Sequence, residues 1–455
     1  MSSRSPRSTD QPAPAGRSFH VESLGCAKNQ VDSELMIAAL QKAGWSLATG
    51  PGSADVLIVN TCGFITDAKT ESIETSLALK AQHPDKRVVM AGCLSERYRD
   101  VLARELPEID GFLGNRDPAA IVELLEGRGS PAAGPVGALS PDPAEPVRAY
   151  ERRHLLSFPG SAYVKIAEGC ANRCTYCAIP LIRGELASRD RGEILAEIRG
   201  LRDRGIKELI LIAQDLGSYG KDRAGAALVP LLSDIASLEG DFWVRLLYIH
   251  PDHFPRGLLD VVAADARFLP YFDLPFQHAA PGILRAMGRR GEPDRNLALV
   301  SEIRARLPLA AIRSTFLLGF PGETEEDFAQ LLDFQDKARL DWVGAFTYSR
   351  EEDTPAYSMR GKVTKAAAAR RKAELETRQV PITERALDAR VGTTLDVLVE
   401  EEVEGEDMSI GRGYLQAPDV DGLVVLRRRL PPGTVRRAHI TRRNGFDLEA
   451  EIVPG

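Results

Sequence analysis

"EGCANRCTYCAIP", running from Glu168 to Pro180, holds three of the chain's six cysteines. Cys170, Cys174 and Cys177 stand at the spacing Cys-x3-Cys-x2-Cys. A structural zinc site takes four protein ligands, and no fourth cysteine or histidine stands close by in the sequence. The stretch follows "AYVKIAEG", an apolar run that reads as a β-strand. Three thiols therefore leave one strand end together, one ligand short of a closed tetrahedral site.

Outward from this point the chain alternates strands and helices. "AYVKIAEG", "KELILIAQ", "FWVRLLYI", "LPYFDLPF", "IRSTFLLGF" and "WVGAFTYS" read as strands, with "RGEILAEIRGLRDRG" and "EEDFAQLLDFQDKAR" among the helices between them. Six such units predict a partly closed (βα)6 barrel over residues 160–388, with the cysteine loop at its C-terminal mouth, where barrel active sites lie. Upstream, a second alternating series ("FHVESLG", "ADVLIVNT", "KRVVMAG", "GFLG") predicts a doubly wound parallel sheet over 18–126. Residues 127–159 are rich in Pro, Ala and Gly and read as a linker, with room for a hairpin. From 389 to 455 short strands with glycine turns predict a small five-stranded all-β barrel. The fold class is α/β throughout, apart from that last domain.

Composition narrows the function classes. A chain of 455 residues with 44% apolar and 27% charged residues is globular and multidomain. No apolar run approaches a membrane span. Residues 1–17 carry arginines but no apolar core, and read as a disordered tail rather than a signal or anchor. These features predict a cytoplasmic protein that keeps its cysteines for metal or redox chemistry. A net charge of −7 argues against bulk nucleic-acid binding.

The other cysteines are Cys26, Cys62 and Cys93, in "ESLGCAKN", "VNTCGF" and "AGCLSE". Each falls just past the C-terminal end of a predicted strand, the edge where open α/β sheets bind ligands. One such cysteine alone is as readily a buried thiol; three at equivalent positions argue for a shared site. Gly25, Gly63 and Gly92 flank them and let the backbone approach a bulky group. Both sets lack a fourth thiolate. A cubane iron–sulfur cluster held by three cysteines leaves one iron free for another ligand, and the missing residue then has a purpose.

The spacing Cys170-x3-Cys174-x2-Cys177, with Tyr176 before the last cysteine, resembles the radical S-adenosylmethionine enzymes. The resemblance implies that the open iron chelates S-adenosyl-L-methionine and that an electron cleaves it to a 5′-deoxyadenosyl radical. With the N-terminal cysteine set and the C-terminal β domain, nearly the whole chain resembles the methylthiotransferases. In that family the first three cysteines, here Cys26, Cys62 and Cys93, hold a second 4Fe–4S cluster that donates sulfur, and the last domain is of the TRAM type. "SLGCAKNQVDSE", "NTCGFITDAKTESI", "LIAQDLGSYG", "DLPFQHAAPGILRAMGRRG" and "TFLLGFPGETEEDF" resemble the branch that modifies an aspartate of small-subunit ribosomal protein S12. The other branch, which modifies a transfer RNA adenosine, typically has Gln-Ser-Gly where this chain has Gln277-His278-Ala279. The resemblance also implies an outside electron donor such as flavodoxin or ferredoxin, an outside sulfur source, and a monomeric enzyme.

Further candidates for cofactor binding are Arg183, Glu185, Gln214, Gln277, Gly319 and Glu323, all near predicted C-terminal strand ends. Each has a plainer reading: a surface ion pair for Arg183 and Glu185, a Thr324-capped turn for Gly319 and Glu323. Gln214, Asp215, Gln277 and His278 are expected to face the barrel mouth. The last domain has nine arginines, no lysine and twelve Asp plus Glu, a balance of −3, with an acidic run over Glu400–Asp407. That balance suits a basic protein substrate better than RNA, although a solvated loop would look the same. A two-cluster electron-transfer protein is the rival of another class. It is disfavoured because ferredoxins are small and fill each cluster with four cysteines.

Overall fold

The computed structural model describes residues 17–127, 138–139 and 152–454. The expected tail, up to residue 16, and most of the expected linker lie outside the described residues. The chain forms two compact units, Met1–His154 and Leu155–Gly455.

The first unit is a parallel sheet. Strands β1 (Ser18–Ser23), β2 (Ser46–Leu47), β3 (Val56–Thr61), β4 (Arg87–Gly92), β5 (Gly111–Leu113) and β6 (Ala138–Leu139) lie in the order β2-β1-β3-β4-β5-β6. Helices α1 (Ala27–Lys42), α2 (Thr66–Gln82), α3 (Cys93–Glu105) and α4 (Ile121–Leu125) connect them. Every residue of β3 is buried, as its continuous "VLIVNT" run requires when both faces of a parallel sheet are covered. The chain leaves β1 for β2 on one side and returns to β3 on the other. The strand order therefore reverses between β1 and β3, and such a switch point opens a crevice at the carboxyl ends of the strands. No hairpin occupies the described part of the linker: Ala138–Leu139 instead pairs in parallel with Phe112–Leu113.

In the second unit six parallel strands follow in sequence order. β7 (Ser161–Lys165) leads through the short β8 (Ala167–Glu168), α5 (Ile179–Arg183) and β9 (Ala187–Ser188) to α6 (Arg191–Asp203) and β10 (Glu208–Ile212). Then come α7 (Leu228–Ala236), β11 (Trp243–Leu246), α8 (Leu258–Ala264), β12 (Tyr271–Asp273), α9 (Pro281–Ala286), α10 (Pro293–Arg306), β13 (Ala311–Leu318), α11 (Glu325–Ala338) and β14 (Trp342–Thr347). β7-β10-β11 and β12-β13-β14 form two three-stranded sheets. They abut where Leu269 N donates to Val244 O (2.9 Å) and Ile249 N to Asp273 O (3.0 Å). The interior is apolar, built on Val164, Leu209, Leu211, Phe272 and Phe316, each fully buried. This is the predicted six-unit arc, with every strand's C-terminal end at one mouth.

Helix α12 (Lys365–Asp388) leads to a closed barrel of β15 (Thr394–Glu402), β16 (Ser409–Arg412), β17 (Val424–Leu426), β18 (Val435–Asn444) and β19 (Asp447–Ile452), in the order β15-β16-β17-β19-β18. It packs against the beginnings of the arc strands. Glu208, the first residue of β10, accepts from Arg412 Nη2 (2.7 Å) and from Arg245 Nε (2.6 Å). Arg412 Nε also reaches Glu400 (2.6 Å), and Arg245 donates to the carbonyls of Gly413 (3.1 Å) and Tyr414 (3.0 Å). Tyr271, first in β12, donates to Asp421 (2.5 Å) and Trp342, first in β14, to Leu415 O (2.7 Å).

All four charged groups of this network are buried. Burial alone would raise the Glu208 carboxyl, but the Arg412 and Arg245 guanidinium groups outweigh it and hold it at about 2, below the usual 4.5. The stabilisation is thus complete above pH 4.5 and is lost as pH falls toward 2. Arg412→Met should destabilise the protein by about 3–5 kcal/mol, because it strands Glu400 and half-strands Glu208. Denaturant unfolding monitored at neutral pH checks this, and a loss below about 1 kcal/mol would contradict the assigned role.

Candidate functional site

The cysteine loop leaves the C-terminal end of β7 and is closed at its neck. β8 pairs antiparallel with β9, matching Ala167 to Ser188 and Glu168 to Ala187, and Cys170 N donates to Gly184 O (3.1 Å). Gly169 makes this closure possible. Its φ is +66°, and a Cβ there would lie 2.0 Å from the Glu185 carbonyl oxygen. The far side is held by Thr175, whose N donates to Met287 O (3.0 Å) and whose Oγ1 donates to Ala286 O (2.7 Å).

Cys170, Cys174 and Cys177 are all partly buried. Burial pushes Cys177 up to about 12, and the neighbouring Cys174 and Cys170 thiolates push the same way. Burial also raises Cys170, aided by Asp215 and Cys174. Three thiolates in one another's field need a cationic centre to neutralise them. Among the described residues, no three His, Cys, Asp or Glu side chains converge closely enough for a single metal ion. The ligands of a cubane each hold a different iron, so they stand farther apart than the ligands of one ion. A soft, all-sulfur set of three suits an iron–sulfur cluster.

Beside the loop lies a buried polar cluster. Glu168 accepts from Lys165 Nζ (2.5 Å), Arg183 Nη1 (2.9 Å) and Gln214 Nε2 (2.9 Å). Burial alone would raise the Glu168 carboxyl, yet the Arg183 and Lys165 charges hold it well below the carboxylate range. Gln214 Oε1 is buried with no hydrogen-bond partner. Such an acceptor, left empty beside a cysteine loop, fits a ligand donor. Asp215 ties the loop to the strand ends: it accepts from Asn172 Nδ2 (3.1 Å), Ser218 Oγ (2.6 Å) and His250 N (3.0 Å), and pairs with His253 Nδ1 (2.7 Å). Tyr176 packs beside Met287, Phe320 and Ala356, and its hydroxyl accepts from Arg289 Nη2 (3.1 Å).

The remaining candidates are placed differently. Glu185 pairs with Arg173 (2.7 Å) with both side chains exposed. Gln277 stands four residues beyond β12 at φ +69°, a left-handed conformation costly for a residue with a Cβ; its backbone bridges Thr315 and Leu317 of β13 (2.8 Å each). Glu323 turns back into its own loop, accepting from Phe320 N (3.1 Å) and pairing with Arg371 of α12 (3.0 Å). A Cβ on Gly319 would lie 2.5 Å from Ala368 Cβ, so this glycine permits close approach of α12. Thr324 and Asp327 form the expected capping box. His278 does not face the mouth: it is fully buried, its Nδ1 accepts from Ala280 N (3.0 Å), and burial lowers it to about 4.

In the first unit, Cys26 precedes α1, Cys62 follows β3 directly, and Cys93 opens α3. β1 and β3 flank the switch point, so two of the three cysteines stand at its crevice. A Cβ on Gly25 would lie 3.0 Å from Cys62 Cβ, and one on Gly63 2.8 Å from Cys93 O, so the three loops pack on one another. Asn29 stitches them together: its Nδ2 donates to Leu24 O (3.0 Å) and Thr61 O (2.9 Å), and its Oδ1 accepts from Cys93 Sγ (3.2 Å). Asn115 Nδ2 donates to the same sulfur (3.4 Å). Sequence reading missed both asparagines. Asn29 stands three residues after Cys26, in the first turn of the helix that Cys26 precedes, and that spacing was its only signal.

The acidic run is also less uniform than the sequence suggests. Glu400 is buried against Arg412, while Glu401, Glu402, Glu404, Glu406 and Asp407 are exposed. The domain that carries them sits at the starts of the arc strands, and the cysteine loop at the end of β7. A five-residue strand such as β7 spans roughly 16 Å.

Residues 18–114 match the family model described as uncharacterized protein family UPF0004, residues 164–334 the radical SAM superfamily, and residues 391–453 the TRAM domain. Radical SAM membership brings a 4Fe–4S cluster and S-adenosylmethionine with it. The radical S-adenosylmethionine methyltransferase TsrM from Kitasatospora setae is similar in fold, with a TM-score of 0.55 at 16% identity over 75% of this chain and 74% of that one. The ribosomal protein uS12 methylthiotransferase RimO of Treponema denticola is 44% identical over 463 residues, covering 94% of this chain and 99% of the relative. The protein of the same name from Sorangium cellulosum is 40% identical over 453 residues, covering 96% and 91%. With three successive domains matched and identity of this order from end to end, the chain belongs to the RimO family of radical S-adenosylmethionine methylthiotransferases.

Proposed function

We propose that this enzyme attaches a methylthio group to the β-carbon of an aspartate in small-subunit ribosomal protein S12. The observation that carries this reading is end-to-end similarity to S12 methylthiotransferases, together with two sets of three cysteines, each one ligand short. Cys170, Cys174 and Cys177 hold the 4Fe–4S cluster that binds S-adenosylmethionine. When bound, cluster and cofactor supply a 5′-deoxyadenosyl radical, which the reaction needs because the aspartate β-C–H bond is out of reach of acid–base or nucleophilic catalysis. Glu168 holds Arg183 and Gln214 in place, and the unpaired Gln214 carbonyl accepts from the cofactor's amine or a ribose hydroxyl. Tyr176 and Gln277 also contact the cofactor. Glu185, Gly319 and Glu323 shape their own turns. Cys26, Cys62 and Cys93 hold the second, sulfur-donating 4Fe–4S cluster, a reading supported by their place at the switch-point crevice. The domains run over 18–126, 160–388 and 389–455. The enzyme works in the cytoplasm as a monomer and takes its electrons and sulfur from outside.

Replacing Cys170, Cys174 and Cys177 together with Ala should remove about half of the bound iron and abolish S-adenosylmethionine cleavage; iron analysis showing no loss would remove these residues as ligands. Replacing Cys26, Cys62 and Cys93 should spare 5′-deoxyadenosine release and end methylthio transfer, as read by mass spectrometry of the substrate. Purified enzyme should modify S12 and leave transfer RNA unchanged, and the reverse would overturn the substrate assignment. Because the acidic turn stands a strand's length from the cysteine loop, it can meet only a second region of a basic substrate. Charge reversal at Glu401, Glu402 and Glu404 should then raise the apparent KM for S12, most at low salt, without altering uncoupled cofactor cleavage.

A further inference from the structure

Of the six cysteines, only Cys93 is buried. A thiolate there cannot draw hydrogen bonds from solvent, so the protein must supply them. Two side-chain amides meet its sulfur, and they differ in kind. Asn29 offers its carbonyl, and Oδ1 accepts from Cys93 Sγ (3.2 Å). That orientation is fixed, because Asn29 Nδ2 donates to Leu24 O (3.0 Å) and Thr61 O (2.9 Å). Asn60 Nδ2 holds the backbone beside it, donating to Asn29 O (2.7 Å). Asn115 offers its N–H instead, and Nδ2 donates to Cys93 Sγ (3.4 Å).

The chain around Asn115 is locked to α3, the helix that Cys93 opens. A Cβ on Gly114 would collide with Glu96 Oε2, so this glycine lets the end of β5 close on the first turn of α3. Arg116 Nε donates to the same Glu96 carboxylate (2.8 Å), and Asp117 caps the next turn by accepting from Ala119 N (3.0 Å). None of these ties uses the Asn115 side chain, which is buried against the sulfur.

The two amides respond oppositely to metal. Ligation takes the proton from the sulfur. The Asn29 carbonyl then loses the donor it held, while the Asn115 N–H becomes a charge-assisted donor. Hydrogen bonds to ligating sulfurs help set a cluster's reduction potential. By stabilising negative charge on sulfur they favour the reduced state.

We propose that Asn115 is a positioning residue for sulfur transfer, acting through Cys93 to make this site a better electron acceptor. The inference rests on the reading that Cys26, Cys62 and Cys93 hold a 4Fe–4S cluster. Transfer needs such an acceptor. The aspartate carbon radical brings one electron to the new carbon–sulfur bond and the methylthiolate brings two. The bond keeps two of the three, and the third reduces the cluster by one electron.

The test uses the full chain with Cys170, Cys174 and Cys177 replaced by Ala and the remaining cluster loaded, so that one cluster titrates. Electron paramagnetic resonance at poised potentials reads its reduced fraction. Asn115→Leu, close in shape but without the donor, should lower the potential by at least about 59 mV, a tenfold change in the reduced-to-oxidised ratio of a one-electron couple. Asn115→Asp, nearly isosteric, should lower it further, because a carboxylate then faces the sulfur. Iron content equal to the parent's separates tuning from loading. An unchanged potential in either loaded variant overturns the proposal. So does loss of iron from both variants, which would make Asn115 a structural support alone. If the parent itself holds no iron, the reading of a second cluster falls, whatever Asn115 does.

Discussion

Three thiolates can hold a four-iron cluster and leave one iron without a protein ligand, and the rest of the second unit is arranged around that shortage. The loop carrying Cys170, Cys174 and Cys177 is neither loose nor long. Its neck is tied by the β8–β9 ribbon, its middle by Thr175 to the end of α9, and its base by Asn172 to Asp215. On the loop's side each tie uses backbone, an amide or a hydroxyl, and the Asp215 carboxylate at its base is taken up by Asn172, Ser218 and His253. Burial raises the Cys170 and Cys177 thiols, and a cationic centre beside them would favour their thiolate forms. Three sulfurs without a fourth ligand match what a cluster with one open iron requires.

Charge is distributed with the same economy. Several buried ions are compensated: Glu168 by Lys165 and Arg183, Glu208 by Arg245 and Arg412, Glu323 by Arg371. Such pairs do little for net stability relative to an apolar core, but removing one partner is severe. The network around Glu208 joins the small barrel to the strand starts, and so keeps it away from the mouth, where the radical chemistry takes place. One consequence is that the acidic turn and the cysteine loop are separated by the length of the strands. A substrate served by both must be larger than the modified side chain and its neighbours, as a ribosomal protein is.

Much of this was legible in the sequence. The six arc strands, the parallel first sheet and the final barrel follow from apolar periodicity, and the cysteine sets from their place at strand ends. What periodicity cannot show is how polar groups pair once loops meet. β2, β8 and β9 are two-residue strands with no pattern to read. Asn29 serves Leu24, Thr61 and Cys93, partners up to 64 positions away, and only its spacing from Cys26 marks it locally. His278 looked like a mouth residue because it ends a strand run, but the chain turns at Gln277, whose left-handed backbone sends the next residue into the core. Glu400 looked like one more acid in a solvated run, but it stands at the irregularity of β15 between Val399 and Glu401, and Arg412 on the paired strand β16 takes it inward.

The central claim is that the coordination position left open by the three-cysteine loop is filled by the cofactor. The most direct measurement is electron–nuclear double resonance on the reduced, cluster-loaded enzyme with S-adenosylmethionine isotopically labelled at its amino nitrogen and carboxylate oxygens. The account predicts hyperfine coupling from both labels to the cluster, retained in the variant lacking Cys26, Cys62 and Cys93 and absent in the variant lacking Cys170, Cys174 and Cys177. Cofactor that binds without coupling to the cluster in the wild-type enzyme would contradict it.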